Sequence, residues 1–568
     1  MVVILVVNIL LRFWVAVDAP YNEDETDLAH WAWMIAEHDA TLFVDWWDQR
    51  APIPFYANAL LEKVFDEDGA IIVKLRLVHV VLAILTLALY AMTLREAMNT
   101  TVAGLALALS GGLWFAVSRM SQVRHDVWMH FFVMLFWWTF VRYRAGASRF
   151  WLGAAAVAGA LAVHSKQTGA FPVLGLAVFF LIDAILLRRS WRDVIHDGLV
   201  FAGIFLATVA ALFVAVGGTH VGQVLAGYFY SPALVRHYEL ENATHWTSYL
   251  RYVFVICAPL WVIVVGGLVG IARRSFRAGG ADVGAYWLST FLTTQLFADL
   301  ASLLPRGTFF EQDLIMPALI GMAAAALWFD TSAKGTPLSR IPTKAGVAIL
   351  LLITLGPLLY GAFHDWRNLQ QAVFHHKRLL VGYFVEHPPE KGDPNIALAQ
   401  TNLWKLSIED LAQYFSGPYD KVHYYPGRYQ KQQREIIYRL LQGSRPDQPV
   451  FTDDNTQIFR YAGHRVVRAR VLEYALRCFD EHPDLAEKTG LCRIQPEACI
   501  PGLSPAQRMR KVLERDEPAM IVLGYTTSRL LLDDPLTRQW VDQRYRFGYY
   551  PDLMVFMGNR REELPPTL

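Results

Sequence analysis

Two adjacent carboxylates, Asp24 and Glu25, are the first residues of the chain that could do chemistry. They follow an apolar run at residues 2–17 and begin a stretch rich in aromatic residues that extends to Tyr56, so we expect them at a membrane surface. A carboxylate in that position can act as a general base and take the proton of an acceptor hydroxyl. The alternative is that both residues occupy the first turn of the next helix, where the helix dipole favours negative charge.

A second polar group, Asp48-Gln49-Arg50, precedes a turn that contains Pro52 and Pro54. The planar guanidinium of Arg50 can hold a phosphate through two hydrogen bonds close to the lipid headgroups. An interfacial anchor is the alternative for this residue. We therefore predict Arg50 as a phosphate-binding residue and Asp48 as a further active-site candidate.

More charged residues follow in segments that separate apolar runs. Arg124 and Asp126 begin one such run, and ionisable residues at membrane depth are usually functional and paired, although this pair could be only structural. Lys166 lies in a short turn, where it could place a point charge on a phosphate or simply extend to the interface. Arg236 and Arg306 are two further candidates for binding a phosphate.

The histidines give a weaker signal. His245 is an additional active-site candidate, and it shares the segment 218–250 with His237, Glu239 and Glu241. These are residue types that bind metals, but their spacing is not that of a known metal site. No metal and no other cofactor is therefore predicted.

Composition identifies the class of protein that must position these residues. The chain has 568 residues, of which 54% are hydrophobic, and its mean hydropathy is +0.26. These values are typical of a polytopic membrane protein rather than of several soluble domains. The net charge of +1 gives no basic surface for nucleic acid, so nucleic acid is not an expected partner.

Apolar runs close to the length that crosses a bilayer, about 20 residues, predict eleven transmembrane helices. The stretch between 101 and 187 is crowded enough to include a re-entrant segment. The first run has no basic region before it, which favours a retained helix over a cleaved signal peptide. The predicted helices lie near residues 1–18, 75–94, 101–118, 125–141, 150–164, 170–187, 198–217, 251–271, 284–304, 313–330 and 344–361.

Basic residues predict the orientation of these helices, because short cytoplasmic loops are enriched in Lys and Arg. The basic residues cluster in alternate loops, and the candidate site residues nearly all fall in the loops between them. The site is therefore expected on the outer face. The basic clusters are Arg95; Arg142, Arg144 and Arg149; Arg188, Arg189 and Arg192; Arg273, Arg274 and Arg277; and Lys334, Arg340 and Lys344.

Two domains are expected: a transmembrane domain at 1–361, whose first outer loop at 19–74 carries the predicted site, and a soluble outer domain at 362–568. Short apolar runs at 396–399, 450–451, 520–523 and 554–557, with a helical pattern at 434–441, predict an α/β fold for the second domain.

Cys478, Cys492 and Cys499 lie in this region. In an oxidising compartment one pair of the three is expected to form a disulfide, and the sequence leaves the pairing open.

The ordered set of charged motifs resembles the GT-C family of integral-membrane glycosyltransferases, which use polyprenyl-phosphate sugars. This family includes lipid A aminoarabinose transferases and protein O-mannosyltransferases. The resemblance covers residues 1 to about 330, and each motif on its own is weak. The family pattern is an Asp-Glu pair after the first helix, an acidic-x-Lys-Pro-Pro turn, a basic residue that opens the second helix, an Asp at the fourth and a Lys turn later. The matching residues are Asp24-Glu25, Asp48-Gln49-Arg50-Ala51-Pro52, Arg76, Asp126 and Lys166-Gln167.

The chain departs from the family pattern in three places. Leu28 stands where a Tyr commonly follows the acidic pair, and Arg50-Ala51-Pro52 replaces Lys-Pro-Pro. Glu311-Gln312-Asp313 precedes the tenth helix, which usually begins with an aromatic or a His-Tyr pair. These departures affect the prediction of which sugar is transferred and to which acceptor more than the prediction of the reaction class.

The resemblance implies an inverting glycosyltransferase of the bacterial inner membrane, with its soluble domain outside the cytoplasm. Its partners would be a polyprenyl-phosphate sugar donor, membrane lipids and a lipid, glycan or protein acceptor. Asp24, Glu25 and Asp126 would be catalytic, and Arg50, Lys166, Arg236 and Arg306 would bind the donor phosphate. A transporter is the main alternative, and a non-catalytic scaffold with an outer binding domain is the third.

Overall fold

The computed structural model is mostly helical. It describes residues 2–19, 23–46, 48, 50–65, 71–97, 100–185, 190–241, 255, 257–277, 283–303, 311–332, 348–366, 448–452, 466–468, 479–480, 482–523, 531, 534–550 and 555–560. Fifteen helices precede the first strand in this part of the chain. They are α1 Val2–Asp18, α2 Glu23–His38, α3 Ile53–Val64, α4 Ile71–Ala97, α5 Thr100–Ser110, α6 Trp114–Met120, α7 His125–Arg144, α8 Phe150–Ser165, α9 Ala170–Ile185, α10 Trp191–Gly217, α11 Val221–Glu241, α12 Ala258–Arg277, α13 Val283–Leu303, α14 Ile315–Ser332 and α15 Ala348–Trp366.

Each of the eleven predicted apolar runs contains an observed helix or, in one case, a bent pair of helices. Within the described residues, four helical segments are long and apolar enough to cross a membrane: Ile71–Glu96, Gln167–Ile185, Trp191–Ser231 and Ala348–Trp366. Four others are apolar but shorter: Val2–Val17, Phe150–Ser165, Ala258–Gly267 and Ile315–Ala326. The membrane-protein class is thus evident in the helices themselves.

The run predicted as one helix at 101–118 is broken. Helices α5 and α6 meet at an angle of 75°, so this pair is either a broken span or a re-entrant loop. The bend falls at Gly111-Gly112, and the side chain of Asn8 on α1 donates a hydrogen bond of 2.7 Å to the carbonyl of Gly111. A polar side chain thereby satisfies a backbone group that the bend releases from the helix.

Helices α2, α3 and α11 lie in the segments predicted as outer loops, where the sequence pattern had indicated only α2. Pro54 near the start of α3 fits a position where a backbone N–H has no helical partner.

In α7, Asp126 lies in the first turn and Arg142 and Arg144 lie in the last turn. Both ends of α7 therefore carry charges that complement the helix dipole.

The C-terminal part contains a five-stranded mixed sheet in the order β2-β1-β3-β5-β4. Strand β1 is parallel to β2 and β3, while β5 is antiparallel to β3 and β4. The predicted strands at 450–451 and 520–523 are present, and the run at 554–557 falls largely in β5. The predicted strand at 396–399 and helix at 434–441 lie outside the described residues. The strands are β1 Val450–Thr452, β2 Val466–Arg468, β3 Met520–Leu523, β4 Tyr545–Tyr550 and β5 Val555–Arg560.

Among the residues that the structure describes here, four short helices accompany this sheet: α16 Pro483–Lys488, α17 Leu491–Ile494, α18 Pro505–Asp516 and α19 Pro535–Arg544. Ser504 and Gln507 form a reciprocal capping box at the start of α18, and the side chain of Asp534 accepts a hydrogen bond from the backbone of Thr537 at the start of α19. Cys492 and Cys499 form a disulfide, which confirms the expectation of one pair. Cys478 lies outside the described residues.

Buried apolar side chains connect the outer segment to the C-terminal part. One cluster contains Phe43 and Trp46 of the first outer segment, Phe213 and Tyr228 of α10 and α11, and Leu491 of α17. A second, larger cluster fills the space between the apolar helices, including α4, α7, α9, α13 and α14. The C-terminal part therefore packs at the same end of the helices as the first outer segment.

Candidate active site

Asp24, at the start of α2, is held by two guanidinium groups. Arg50 Nη2 lies 2.5 Å from Asp24 Oδ1, and Arg124 Nη2 lies 3.1 Å from Asp24 Oδ2. The carboxylate nevertheless keeps 35% of its side-chain surface exposed. Asp24 is thus both fixed in place and open to a substrate.

Arg50 is bound by three carboxylates. Besides Asp24, its Nη1 donates a hydrogen bond of 2.7 Å to Asp27, and the same nitrogen lies 3.6 Å from Asp48. Asp48 also accepts a hydrogen bond of 2.8 Å from the backbone N–H of Arg50, which fixes the turn. Burial alone would lower the pKa of Arg50, but the negative charges of Asp48, Asp24 and Asp27 raise that pKa above its ordinary value. Arg50 therefore carries a positive charge at neutral pH.

Arg124 and Lys166 extend this arrangement across the bundle. Arg124 Nε lies 3.7 Å from Asp126 Oδ2, and Lys166 Nζ donates a short hydrogen bond to Asp126 Oδ1. Lys166 Nζ also lies 3.3 Å from Asp313, which precedes α14. Lys166 follows α8 directly, so its backbone position is set by the end of that helix.

Together these side chains form a row in which positive and negative charges alternate, and we call it the charged row. It brings together the start of α2, the turn before α3, the start of α7, the end of α8 and the segment before α14. All of these are helix ends or turns, and all meet at one end of the bundle. The charged row consists of Arg50, Asp24, Arg124, Asp126, Lys166 and Asp313, with Asp27 and Asp48 on Arg50.

Glu25 has different partners from its neighbour Asp24. Arg76 Nε and Nη2 contact its two oxygens at 2.7 and 2.6 Å, and the backbone N–H of Val123 donates a hydrogen bond of 2.8 Å to Oε1. The Glu25 and Arg76 side chains are both fully buried. This pair connects α2 to α4 and to the segment before α7.

A line of aromatic rings supports the turn that carries Arg50. Trp46 stacks on Trp31 of α2, with ring centroids 4.2 Å apart, and its edge contacts Phe55 of α3 at 4.8 Å. Phe55 in turn contacts the ring of His125 at 4.7 Å. His125 lies between Arg124 and Asp126 in the sequence, so the rings connect the Arg50 turn to the start of α7.

The structure brings Asp24, Asp48, Arg50, Arg124, Asp126 and Lys166 together, as the sequence predicts for residues of one site. The side chains of three other predicted site residues are not among those that the structure describes. The backbone of Arg236 lies in α11 but its side chain is not among those described, and His245 and Arg306 lie outside the described residues.

Two members of the charged row did not emerge as site residues from the sequence. Asp27 is three residues after Asp24, a spacing that places both on one face of a helix, so the spacing could have revealed it. Asp313 belongs to an acidic segment that the sequence marked only as a departure from the family pattern.

Within the described parts of the chain, no group of three or more His, Cys, Asp or Glu side chains could hold a metal ion.

Part of the chain is similar to a known protein family. Residues 49–216 match the model of a family described as dolichyl-phosphate-mannose-protein mannosyltransferase. That segment contains Arg50, Arg76, Arg124, Asp126 and Lys166. No curated protein matches the chain in sequence.

The similarity to solved structures covers the whole chain. ArnT from Cupriavidus metallidurans bound to undecaprenyl phosphate has a TM-score of 0.54 and 14% identity, with coverage of 100% of this chain and 99% of that chain. Its apo state has a TM-score of 0.53 and 13% identity, with the same coverage of 100% and 99%. The apo oligosaccharyltransferase of Archaeoglobus fulgidus has a TM-score of 0.50 and 11% identity, with coverage of 100% of this chain and 75% of that chain.

The resemblance predicted from the sequence is confirmed by these findings. The chain has the fold of GT-C glycosyltransferases such as ArnT, and the family match confirms the predicted class of enzyme, a membrane glycosyltransferase. The alternative of a transporter or scaffold is not favoured.

Proposed function

We propose that the protein transfers a sugar from a polyprenyl-phosphate donor to a hydroxyl acceptor, with inversion at the anomeric carbon. The observation that carries this proposal is the charged row, in which an exposed carboxylate is held between two arginines. The undecaprenyl phosphate bound to ArnT and the mannosyltransferase family match support the donor class. The acceptor would be a lipid, a glycan or a protein.

The donor phosphate would compete with Asp24 for its two arginines. Arg50 and Arg124 both reach Asp24 in the ligand-free site, so each has a guanidinium within reach of one small volume. A phosphate that enters this volume can pair bidentately with the same guanidinium groups that the Asp24 carboxylate engages. Its arrival would release the Asp24 carboxylate from at least one arginine.

The released carboxylate would then act on the acceptor. The acceptor oxygen forms a bond to the anomeric carbon as the bond from that carbon to the phosphate oxygen breaks. The proton of the acceptor hydroxyl passes to Asp24, and the bonding electron pair leaves with the polyprenyl phosphate. Arg50, Arg124 and Lys166 would stabilise the charge that develops on the leaving phosphate.

The remaining predicted residues receive different roles. Asp126 would hold Arg124 and Lys166 in place rather than act as a base, since both cations contact it. Asp48 would shape the Arg50 turn. We propose a structural role for Glu25 in place of the catalytic role expected from the sequence, because Arg76 fully engages its buried carboxylate. Arg236, Arg306 and His245 remain candidates from the sequence alone.

The membrane placement is also a proposal. The axial rise of α7 from Asp126 to Arg144 is about 27 Å at about 1.5 Å per residue, close to the hydrocarbon thickness of about 30 Å. Asp126 belongs to the charged row, and Arg144 is in a predicted cytoplasmic cluster. This supports α7 as one crossing. We propose eleven crossings of the inner membrane of a bacterium, with the domain at 1–361 in the bilayer. The charged row and the domain at 362–568 would face outward.

Transfer assays with purified protein and a polyprenyl-phosphate sugar test the proposal. Asp24→Asn keeps the size of the side chain but cannot accept the proton, so kcat should fall by about 10² to 10⁴. Arg50→Ala removes a contact that the phosphate makes in the ground state as well, so it should mainly raise the donor KM.

Two results would count against this assignment. A folded Asp24→Asn protein that transfers at the wild-type rate would remove Asp24 as the base. A wild-type protein that neither transfers the sugar nor co-purifies with a polyprenyl phosphate, by mass spectrometry of extracted lipids, would overturn the donor class.

A further inference from the structure

We propose that Arg493, in the disulfide-bonded loop of the C-terminal part, is a positioning residue for the Arg50 turn. Its guanidinium donates a hydrogen bond of 2.6 Å to the backbone carbonyl of Phe43, 450 residues earlier in the chain. This inference rests on the proposed function, because its consequence is a change in how the donor phosphate is bound.

Phe43 has an unfavourable backbone conformation. Its φ is +65°, a region that bulky side chains rarely adopt. Such conformations persist where the surroundings determine them, and they cluster at functional sites. Hydrogen bonds within the segment 41–46 form the turn, since the carbonyl of Thr41 accepts from the N–H groups of Val44 and Asp45. The side chain of Asp45 also accepts a hydrogen bond of 2.8 Å from the N–H of Thr41. Contacts from outside the segment add to these bonds at Phe43.

Three contacts fix Phe43. Its ring packs against Gly227 of α11 so closely that a Cβ at Gly227 would overlap the ring. Its N–H donates a hydrogen bond of 2.7 Å to the carbonyl of Trp46, which closes the turn. Its carbonyl points out of the turn and accepts the hydrogen bond from Arg493. Arg493 is thus a side chain through which the C-terminal part holds the backbone of this turn.

The loop that presents Arg493 is itself constrained. The disulfide joins Cys492 and Cys499, seven positions apart in the sequence, and encloses Arg493. Gly490, with a φ of +78°, directly precedes the short helix α17, and a Cβ at this position would lie 3.7 Å from the carbonyl oxygen of Phe43. The loop therefore approaches the turn closely through its backbone as well as through Arg493.

The turn leads directly to the phosphate-binding residue. Trp46 closes the turn, stacks on Trp31 of α2 and contacts Phe55 of α3. Arg50 lies four residues after Trp46, between these two helices. A turn that relaxes toward an ordinary φ at Phe43 would move Trp46 and displace Arg50, whereas Asp24 would keep its contact with Arg124.

This geometry predicts a specific kinetic effect. Displacing Arg50 weakens a contact to the donor phosphate that exists in the ground state, so the donor KM should rise more than kcat falls. The loss of one charge-assisted hydrogen bond corresponds to a change of about tenfold. A variant that merely unfolds part of the sample would lower the apparent kcat and leave KM unchanged.

The experiment compares Arg493→Ala, Arg493→Lys and Cys492→Ser in the full-length protein in lipid nanodiscs. Arg493→Ala and Cys492→Ser should raise the donor KM about tenfold, and Arg493→Lys should recover part of the loss because it can still donate one hydrogen bond. Amide hydrogen exchange of residues 41–51 should become faster in Arg493→Ala and Cys492→Ser. Exchange in α7 should stay unchanged, which shows that the protein remains folded.

Arg510→Ala is the matched control, because Arg510 lies on α18 and pairs with Glu514 on its own helix. If Arg493→Ala has the donor KM and the exchange rates of this control, the inference is overturned. If the wild-type protein does not transfer sugar at all, the proposed function fails, and the exchange rates of residues 41–51 still decide whether Arg493 holds the turn.

Discussion

Glu25 and Asp24 are neighbours in the sequence, yet their environments are opposite. Asp24 is partly exposed between two arginines, whereas Glu25 is fully buried against Arg76. Two adjacent residues of a helix point about 100° apart, so one can face the site while the other faces the packing between α2 and α4. Chemistry and structural stability are thereby separated within a single turn.

Glu25→Gln should destabilise the protein rather than alter its chemistry. Breaking a buried ion pair leaves the other charge unpaired, which costs about 3 to 5 kcal/mol. Thermal unfolding of the purified protein should show a much lower Tm than for Glu37→Gln, a control on the exposed part of the same helix. A Glu25→Gln protein as stable as the control, but inactive, would return Glu25 to the catalytic role.

The residue types of the site could be predicted from the sequence, but their pairing could not. Asp24, Arg50, Asp126 and Lys166 are charged residues next to apolar runs, and that pattern is local. The contact between Lys166 and Asp313 joins positions 147 residues apart, which no local pattern specifies. The same holds for Glu25 and Arg76, since burial decides which member of an acidic pair becomes structural.

At the scale of elements, the broken pair α5 and α6 lies where a helix is predicted, within the stretch 101–187 that the sequence marks as crowded enough for a re-entrant segment, but the position of the bend is not predicted. Hydropathy predicted one helix at 101–118, because the average over a window does not register a bend at Gly111-Gly112. The bend depends on distant contacts. Arg12 of α1 donates a hydrogen bond of 3.3 Å to the carbonyl of Ala116, and Trp114 donates one of 2.6 Å to Asp365 at the end of α15.

Two glycines of α15 provide a test of this packing. A Cβ at Gly361 would overlap the ring of Trp114, whereas a Cβ at Gly356 would meet nothing within 4 Å. Gly361→Ala should therefore destabilise the protein by roughly 1 to 3 kcal/mol through overpacking. Gly356→Ala should be neutral or stabilising by about 0.5 to 1 kcal/mol, as expected for alanine in a helix. Equal Tm values for the two variants would show that α15 does not pack on α6 in this way.

At the scale of the whole molecule, the ion pairs at the two ends of α7 form two layers separated by the length of that helix. The charged row lies at one end of α7. At the other end, Arg144 contacts Asp183 through two hydrogen bonds of 2.9 and 3.0 Å, and Arg142 contacts Glu96 at 2.8 Å. These pairs connect α7 to α9 and α4 at the end where the sequence places the cytoplasmic basic clusters. Such pairing lets charges lie at both ends of a bundle without unpaired charge in the bilayer.

The orientation of these two layers across the membrane is the last prediction. Since Lys and Arg are retained in short cytoplasmic loops, the end of α7 that carries Arg142 and Arg144 should be cytoplasmic, with the charged row outside. Reporter fusions after Arg144, Arg189 and Arg274 should therefore report a cytoplasmic location, and fusions after Val221 and Leu568 should report an external one. An external C-terminus also agrees with the disulfide between Cys492 and Cys499, because disulfides persist in oxidising compartments. A cytoplasmic result at Leu568 would contradict an odd number of crossings, and it would place the loop that holds the Phe43 turn on the wrong side of the membrane from a donor presented outside.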